Sequence, residues 1–336
     1  VRLPRSVAWL LVALTFFTAG LLRQFHDSIP VSPYVPTVVG SLLFAAIVFL
    51  LLVAARERQV GAVRGNGVRL GSLTPLLLML LIEKWVSIAL YNPAFYFLGT
   101  EHTTPEMLDA RYRIFAGAGL LAVCLLLAFF SRPATRRTWR LARTRHIPIA
   151  LVATIVIVIA TYGVLWSILE LSGRPFRFWL PTVDSLWLWI IVGQAFLAFG
   201  EEVYYRGLLL SEMQRLAPRL GVRHVAARRW VALGFTSVLF GMEHVFIGGS
   251  FEETGRRLIF TISLGLLLGL VVLMSVNLHL AVGIHTWINW LLLGAAPRFT
   301  DETGGAILTP GAYIGVALVV TFGVVLVGGR RLRSDR

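Results

Sequence analysis

The sequence predicts an all-α fold, a polytopic transmembrane helical bundle of about ten spans with both termini cytoplasmic. Three observations lead there. Hydrophobic residues make up 57% of the 336-residue chain and charged residues 14%, for a mean hydropathy of +0.77. Apolar segments close to the roughly 20 residues that a helix needs to cross hydrocarbon recur along the whole length. Basic residues alternate between successive connections, as they do in chains that weave through a bilayer.

In order, the predicted spans are residues 7–22, 34–55, 73–90, 114–131, 148–171, 185–210, 230–246, 258–276, 278–294 and 311–328. The first follows Arg2 and Arg5 and reads as a retained helix, a signal anchor at most, because no small-residue cleavage site follows Leu22. Glu83 and Lys84 interrupt the third. Adjacent residues on a helix face different directions, so these two take separate snorkelling or packing roles. The fourth span holds the single cysteine, Cys124, which has no partner for a disulfide. Trp187 and Trp189 open the sixth as interfacial anchors. The connection between the eighth and ninth, around Asn277, is very short.

A net charge of +14 would suit a nucleic-acid partner only if the cations formed one surface, and they do not. With Arg2 and Arg5 inside, 21 basic residues fall on that side and 8 on the other, while Lys84 and Arg206 lie within spans. The excess is the topology signal itself. No nucleic acid is expected; the partners are the lipid bilayer and whatever the membrane presents. Thirty arginines against one lysine suggest a GC-rich bacterial genome, which places the chain as a multi-pass protein of the cell inner (plasma) membrane.

The basic stretch 132–146 divides the chain. Residues 1–147 form an N-terminal transmembrane region of unknown role, about four spans plus the basic loop. Residues 148–336 form a C-terminal transmembrane region, and the polar side chains of unusual depth gather there between Glu201 and Asn289. An ionisable side chain near the bilayer centre costs about 2.5–3.5 kcal/mol on insertion scales, so a group of them calls for chemistry or ion handling. Glu202 and Arg206 are four apart and share a face as an ion pair. Glu201 points about 100° away, free of that pairing. Phe240 and His244 share a face of the seventh span, and His285 and Asn289 a face of the ninth. Counted at the helical rise from the cytoplasmic ends of their spans, Glu201, His244 and His285 lie about 13, 21 and 10 Å deep, which permits convergence.

EExxxR, FxxxH and HxxxN, in this order on separate transmembrane helices, resemble the CPBP family (CAAX proteases and bacteriocin-processing enzymes, also called the Abi family) of intramembrane glutamic endopeptidases. The resemblance covers about residues 185–294. It implies that Glu201 works with His244 to activate water, that His285 and Asn289 serve the oxyanion, and that Glu202, Arg206 and Phe240 support them. The substrate it implies is a membrane-associated protein or peptide, approached through a cavity open to the cytoplasmic side, and no cofactor is required.

The chemistry of the residues agrees. Peptide hydrolysis needs a base for water, donors for the developing oxyanion and an acid for the leaving amine, and these side chains offer all three. Glu243, beside His244 but facing elsewhere, reads as structural. His224 and His279, near helix ends, read as interfacial. Two other classes are open to the same residues. One glutamate and two histidines are a possible zinc set, although no HExxH or similar compact motif is present. Buried Glu, Arg and His also occur along ion paths, but the sequence shows no inverted repeat of the kind transporters carry. A non-catalytic scaffold needs only the ionic lock.

Overall fold

The computed structural model describes residues 132–328 apart from 182–184, 245–250 and 294–295. It also describes residues 2–3, 7–8, 68–69, 73, 75–77, 79–80, 113–114, 116–122 and 124–125. All but a few residues of the first three predicted spans, Glu83 and Lys84 among them, lie outside this set. The fourth is helical wherever it is described.

The helices are α1 (Arg132–Leu141), α2 (Ile147–Leu171), α3 (Ser185–Glu202), α4 (Leu210–Leu216), α5 (Val225–Met242), α6 (Phe251–Ser275), α7 (Leu278–Leu292) and α8 (Pro310–Gly328). A π-helical segment, Val203–Leu209, joins α3 to α4, so the sixth predicted span is one continuous helix that runs on to Leu216. Two short antiparallel ribbons complete the described architecture. β1 (Arg2–Leu3) pairs with β2 (Val68–Arg69), and β3 (Arg177–Trp179) pairs with β4 (Arg298–Thr300). The fold is helical, as predicted.

Two helical stretches, Thr144–Leu171 and Glu252–Ser275, are long and apolar enough to cross a membrane. The first exposes Leu151, Val152, Ile155, Val156 and Ile159 to its surroundings. An apolar helix that leaves this much hydrocarbon uncovered needs a nonpolar solvent, which lipid supplies. α1, by contrast, is arginine-rich. It lies over the π-helical turn, where Thr138 meets Gly207 closely enough that a β-carbon there would collide with it, and Arg137 hydrogen-bonds Gln214 of α4.

Small residues set the helix spacing. α5 and α6 pack along a seam in which Gly265 lies against Ser237, Gly269 against Leu233 and Gly241 against Ile262, the small-residue packing expected between helices in lipid. α7 is tied to α3 by Trp290 Nε1, which donates to the Ile191 carbonyl at 3.2 Å. The turn between α6 and α7 is held by Asn277, whose side chain accepts from Leu280 N at 3.3 Å and donates to the His146 carbonyl, also at 3.3 Å. Its neighbour Val276 takes a left-handed φ of 56°, a strained choice for a β-branched residue that the short connection imposes. At the opposite end of α2, Tyr162, Phe176, Phe178 and Tyr313 surround the fully buried Phe299 of β4. This aromatic plug closes the bundle around the β3–β4 ribbon.

The fourth predicted span packs directly on α3. A β-carbon on Gly117 would sit 2.8 Å from the Phe196 carbonyl carbon and oxygen, and one on Gly200 would sit 3.0 Å from the Gly117 oxygen. Backbone meets backbone at this crossing, one residue before Glu201. Gly117→Ala is therefore expected to destabilise the protein by about 1–3 kcal/mol through overpacking, read as a lowered unfolding temperature in detergent. Unchanged stability would show that this crossing is loose.

Candidate active site

Polar side chains from α3, the π-helical segment, the turn that ends α5 and α7 meet around a common point, and Phe240 of α5 marks it. Its ring is fully buried. The Arg206 guanidinium lies 4.4 Å over the ring centroid, the His285 ring meets it edge-on at 5.6 Å, and the His244 ring lies at 4.9 Å. Tyr205 packs against a further edge at 5.2 Å. The Phe240 of the FxxxH pattern is thus an apolar hub around which the charged groups are arranged, and its face favours the cation by a quadrupolar attraction.

The two adjacent glutamates have separate environments. Glu202 is fully buried and receives Arg206 Nη1 at 2.9 Å. Arg206 also donates through Nη2 to the Gly265 carbonyl on α6 at 3.4 Å. The π-helical segment that begins at Val203 keeps the i, i+4 pair stacked while widening the turn, and such insertions occur disproportionately at functional sites. Glu201, one residue earlier, keeps 18% of its side chain exposed. It is the carboxylate that the ion pair leaves open.

His285 of α7 reaches both. Its Nδ1 lies 2.8 Å from Glu202 Oε1 and its Nε2 lies 3.5 Å from Glu201 Oε2. A carboxylate only accepts, so the short contact puts a proton on Nδ1, and the ring then turns Nε2 toward Glu201. His244, in the turn that ends α5, has its Nδ1 2.8 Å from the Phe240 carbonyl. The same reasoning puts its proton on Nδ1 and makes Nε2 the acceptor of the neutral ring. Asn289 lies one turn beyond His285 on α7 and is partly exposed.

The structure thus brings Glu201, Glu202, Arg206, Phe240, His244 and His285 together, with Asn289 at the adjoining turn. Glu243 is the C-cap of α5. His279 stacks on Phe199 at 6.4 Å, and His224 caps the start of α5. Among the described residues no group of three or more His, Cys, Asp or Glu side chains is placed to hold a metal ion. The sequence reading missed Gln194 of α3, which is 2% exposed. Arginine offers donors only, so the Gln194 carboxamide turns its oxygen to Arg113, accepting from Nε at 2.8 Å and also from Nη1. Its nitrogen then lies 3.2 Å from the Asn289 side-chain amide. A signal was available, since Gln194 is the lone polar residue in its run and stands seven residues, two helical turns, before Glu201.

No curated protein and no solved structure matches the chain. Residues 183–291, about a third of the sequence, match the family described as Type II CAAX prenyl endopeptidase Rce1-like, and this stretch contains every residue of the three motifs. Over residues 183–291, the chain therefore carries an Rce1-like domain, the family to which its EExxxR, FxxxH and HxxxN motifs point.

Proposed function

We propose that the protein is an intramembrane endopeptidase that hydrolyses a peptide bond of a membrane-associated protein or peptide with glutamate-activated water. The observation that carries this is the division between neighbouring carboxylates. Glu202 is fully buried in an ion pair, while Glu201 is 18% exposed and 3.5 Å from an imidazole nitrogen.

In this reading Glu201 takes a proton from water, assisted by His244 Nε2, and the water oxygen attacks the carbonyl carbon. The resulting oxyanion is held by His285 Nε2–H and an Asn289 Nδ2–H, donors fixed before reaction and therefore effective in a dry site. The C–N bond then breaks as the proton held by Glu201 passes to the leaving amine. Phe240 and the Glu202–Arg206 pair keep the donors in register.

Around this core we place about ten spans, both termini cytoplasmic and the cavity open to that side, in the inner membrane of a bacterium. The alternating arginine distribution supports the topology. The test is cleavage of a peptide library by the purified protein in detergent, wild type beside Glu201→Gln, with and without a chelator. Chelator-resistant cleavage that the variant loses is expected. Chelator-sensitive cleavage would move the site to zinc, and no cleavage by either form would leave a scaffold or transporter.

A further inference from the structure

We propose that Arg113 and Gln194 are positioning residues that set which way the Asn289 amide faces. The inference rests on the reading of Asn289 as an oxyanion donor. An amide side chain presents a donor at one end and an acceptor at the other, and the two ends have nearly the same shape, so packing alone does not choose between them. An arginine does choose, because it has no acceptor. With its oxygen turned to Arg113, Gln194 Oε1 accepts from Arg113 Nε at 2.8 Å, which sends the Gln194 NH2 to the Asn289 Nδ2 position at 3.2 Å. Two NH2 groups do not bond to each other. Asn289 therefore turns its own oxygen to Gln194, and its Nδ2–H donors face away, toward the oxyanion.

The chain of orientation runs from a charge in the N-terminal region to the hydrolytic site, and the backbone supports it. Arg113 stands one turn before Gly117, whose close contact with Phe196 and Leu197 fixes the crossing of the fourth span on α3. Gln194 lies two residues before Phe196, is buried, and is flanked by the Trp290 to Ile191 hydrogen bond that ties α7 to α3. Whatever else Arg113 meets, it remains a donor to Gln194. This gives the N-terminal region a chemical part in the site, through the residue that immediately precedes its fourth predicted span.

Gln194→Glu tests the relay with almost no change of shape. A carboxylate still accepts from Arg113 but cannot donate, so the Asn289 NH2 swings to it and the Asn289 oxygen faces the oxyanion. The chain has four asparagines, Asn66, Asn92, Asn277 and Asn289. In the full-length protein labelled with 15N-asparagine in detergent, the Asn289 side-chain NH2 signal is identified by its loss in Asn289→Ala. Gln194→Glu is expected to shift that signal. It is also expected to lower kcat on a peptide that the wild type cleaves by at least about tenfold, with KM changed by less than about twofold, the pattern for a donor engaged only in the transition state. Arg113→Lys, which keeps a donors-only head, should leave the signal near its wild-type position. Should Gln194→Glu fail to fold, Gln194→Met removes the relay, and the signal is expected to broaden as the amide loses its fixed sense. An Asn289 signal unmoved by both Gln194 variants would overturn the relay. Wild-type cleavage by Asn289→Ala would instead overturn the reading of Asn289 on which the relay rests.

Discussion

Glu201→Gln is expected to lower peptide cleavage by about 10²–10⁴-fold, the range for removal of a general base, while the detergent-solubilised protein unfolds within about 0.5 kcal/mol of wild type. The two halves of the expectation come from one fact. Glu201 is partly exposed and makes a 3.5 Å contact with His285, whereas the buried charge that holds α3 to its neighbours belongs to Glu202. A glutamine keeps the size of the side chain and an oxygen facing the imidazole, but it cannot accept and return a proton at neutral pH. Activity measured beside a thermal unfolding curve separates the two roles. A variant that loses its fold would show that Glu201 belongs to an ionic lock, and one that still cleaves would exclude it as the base.

Much of this was legible in the sequence, for reasons that differ by residue. The span predicted at 148–171 coincides with the helix Ile147–Leu171 because a long apolar run bounded by His146 and Ser172 holds nothing that would interrupt a helix. The spans predicted at 230–246 and 258–276 start too late. α5 begins at Val225, and its first turns carry Arg228, which binds the Val222 and Arg223 carbonyls. α6 begins at Phe251, with Arg256 on Glu252 and Arg257 on Glu253. Hydropathy stops at the first charges, whereas the backbone does not.

The site divides in the same way. The Glu202–Arg206 pair and the shared faces of Phe240 with His244 and of His285 with Asn289 follow from local spacing. The bond from His285 to Glu202 joins residues 83 positions apart, and no periodicity announces it. The π-helical turn after Glu202 leaves no hydropathy trace because one extra residue per turn in an apolar run changes no composition. Gly207, at the contact with α1, is its one local mark.

Arg206→Ala is expected to be the most destabilising single change in the site, by about 3–5 kcal/mol, with loss of cleavage. Removing the guanidinium leaves Glu202 fully buried with only His285 Nδ1 to balance it. It also strips the cation from the Phe240 face and the donor from the Gly265 carbonyl. Glu202 Oε2 already has no hydrogen-bond partner among the described residues, so the carboxylate has little in reserve. Glu202→Gln should cost less, because its amide oxygen can still accept from Arg206 or His285, yet it leaves the guanidinium charge buried without a counter-ion. The discriminating variant is the double one. Glu202→Gln with Arg206→Met removes both charges and fills the space, and it is expected to unfold at a higher temperature than Arg206→Ala, since replacing a buried ion pair by neutral groups is far less costly than breaking it. Cleavage should nevertheless stay low in the double variant, because His285 no longer has a carboxylate at Nδ1 to hold its ring and aim the Nε2–H at the oxyanion. Full stability and activity in Arg206→Ala would refute the assignment of this pair as the support of the site. Recovery of stability without recovery of activity in the double variant would show that the pair serves His285, beyond holding α3 in the bundle.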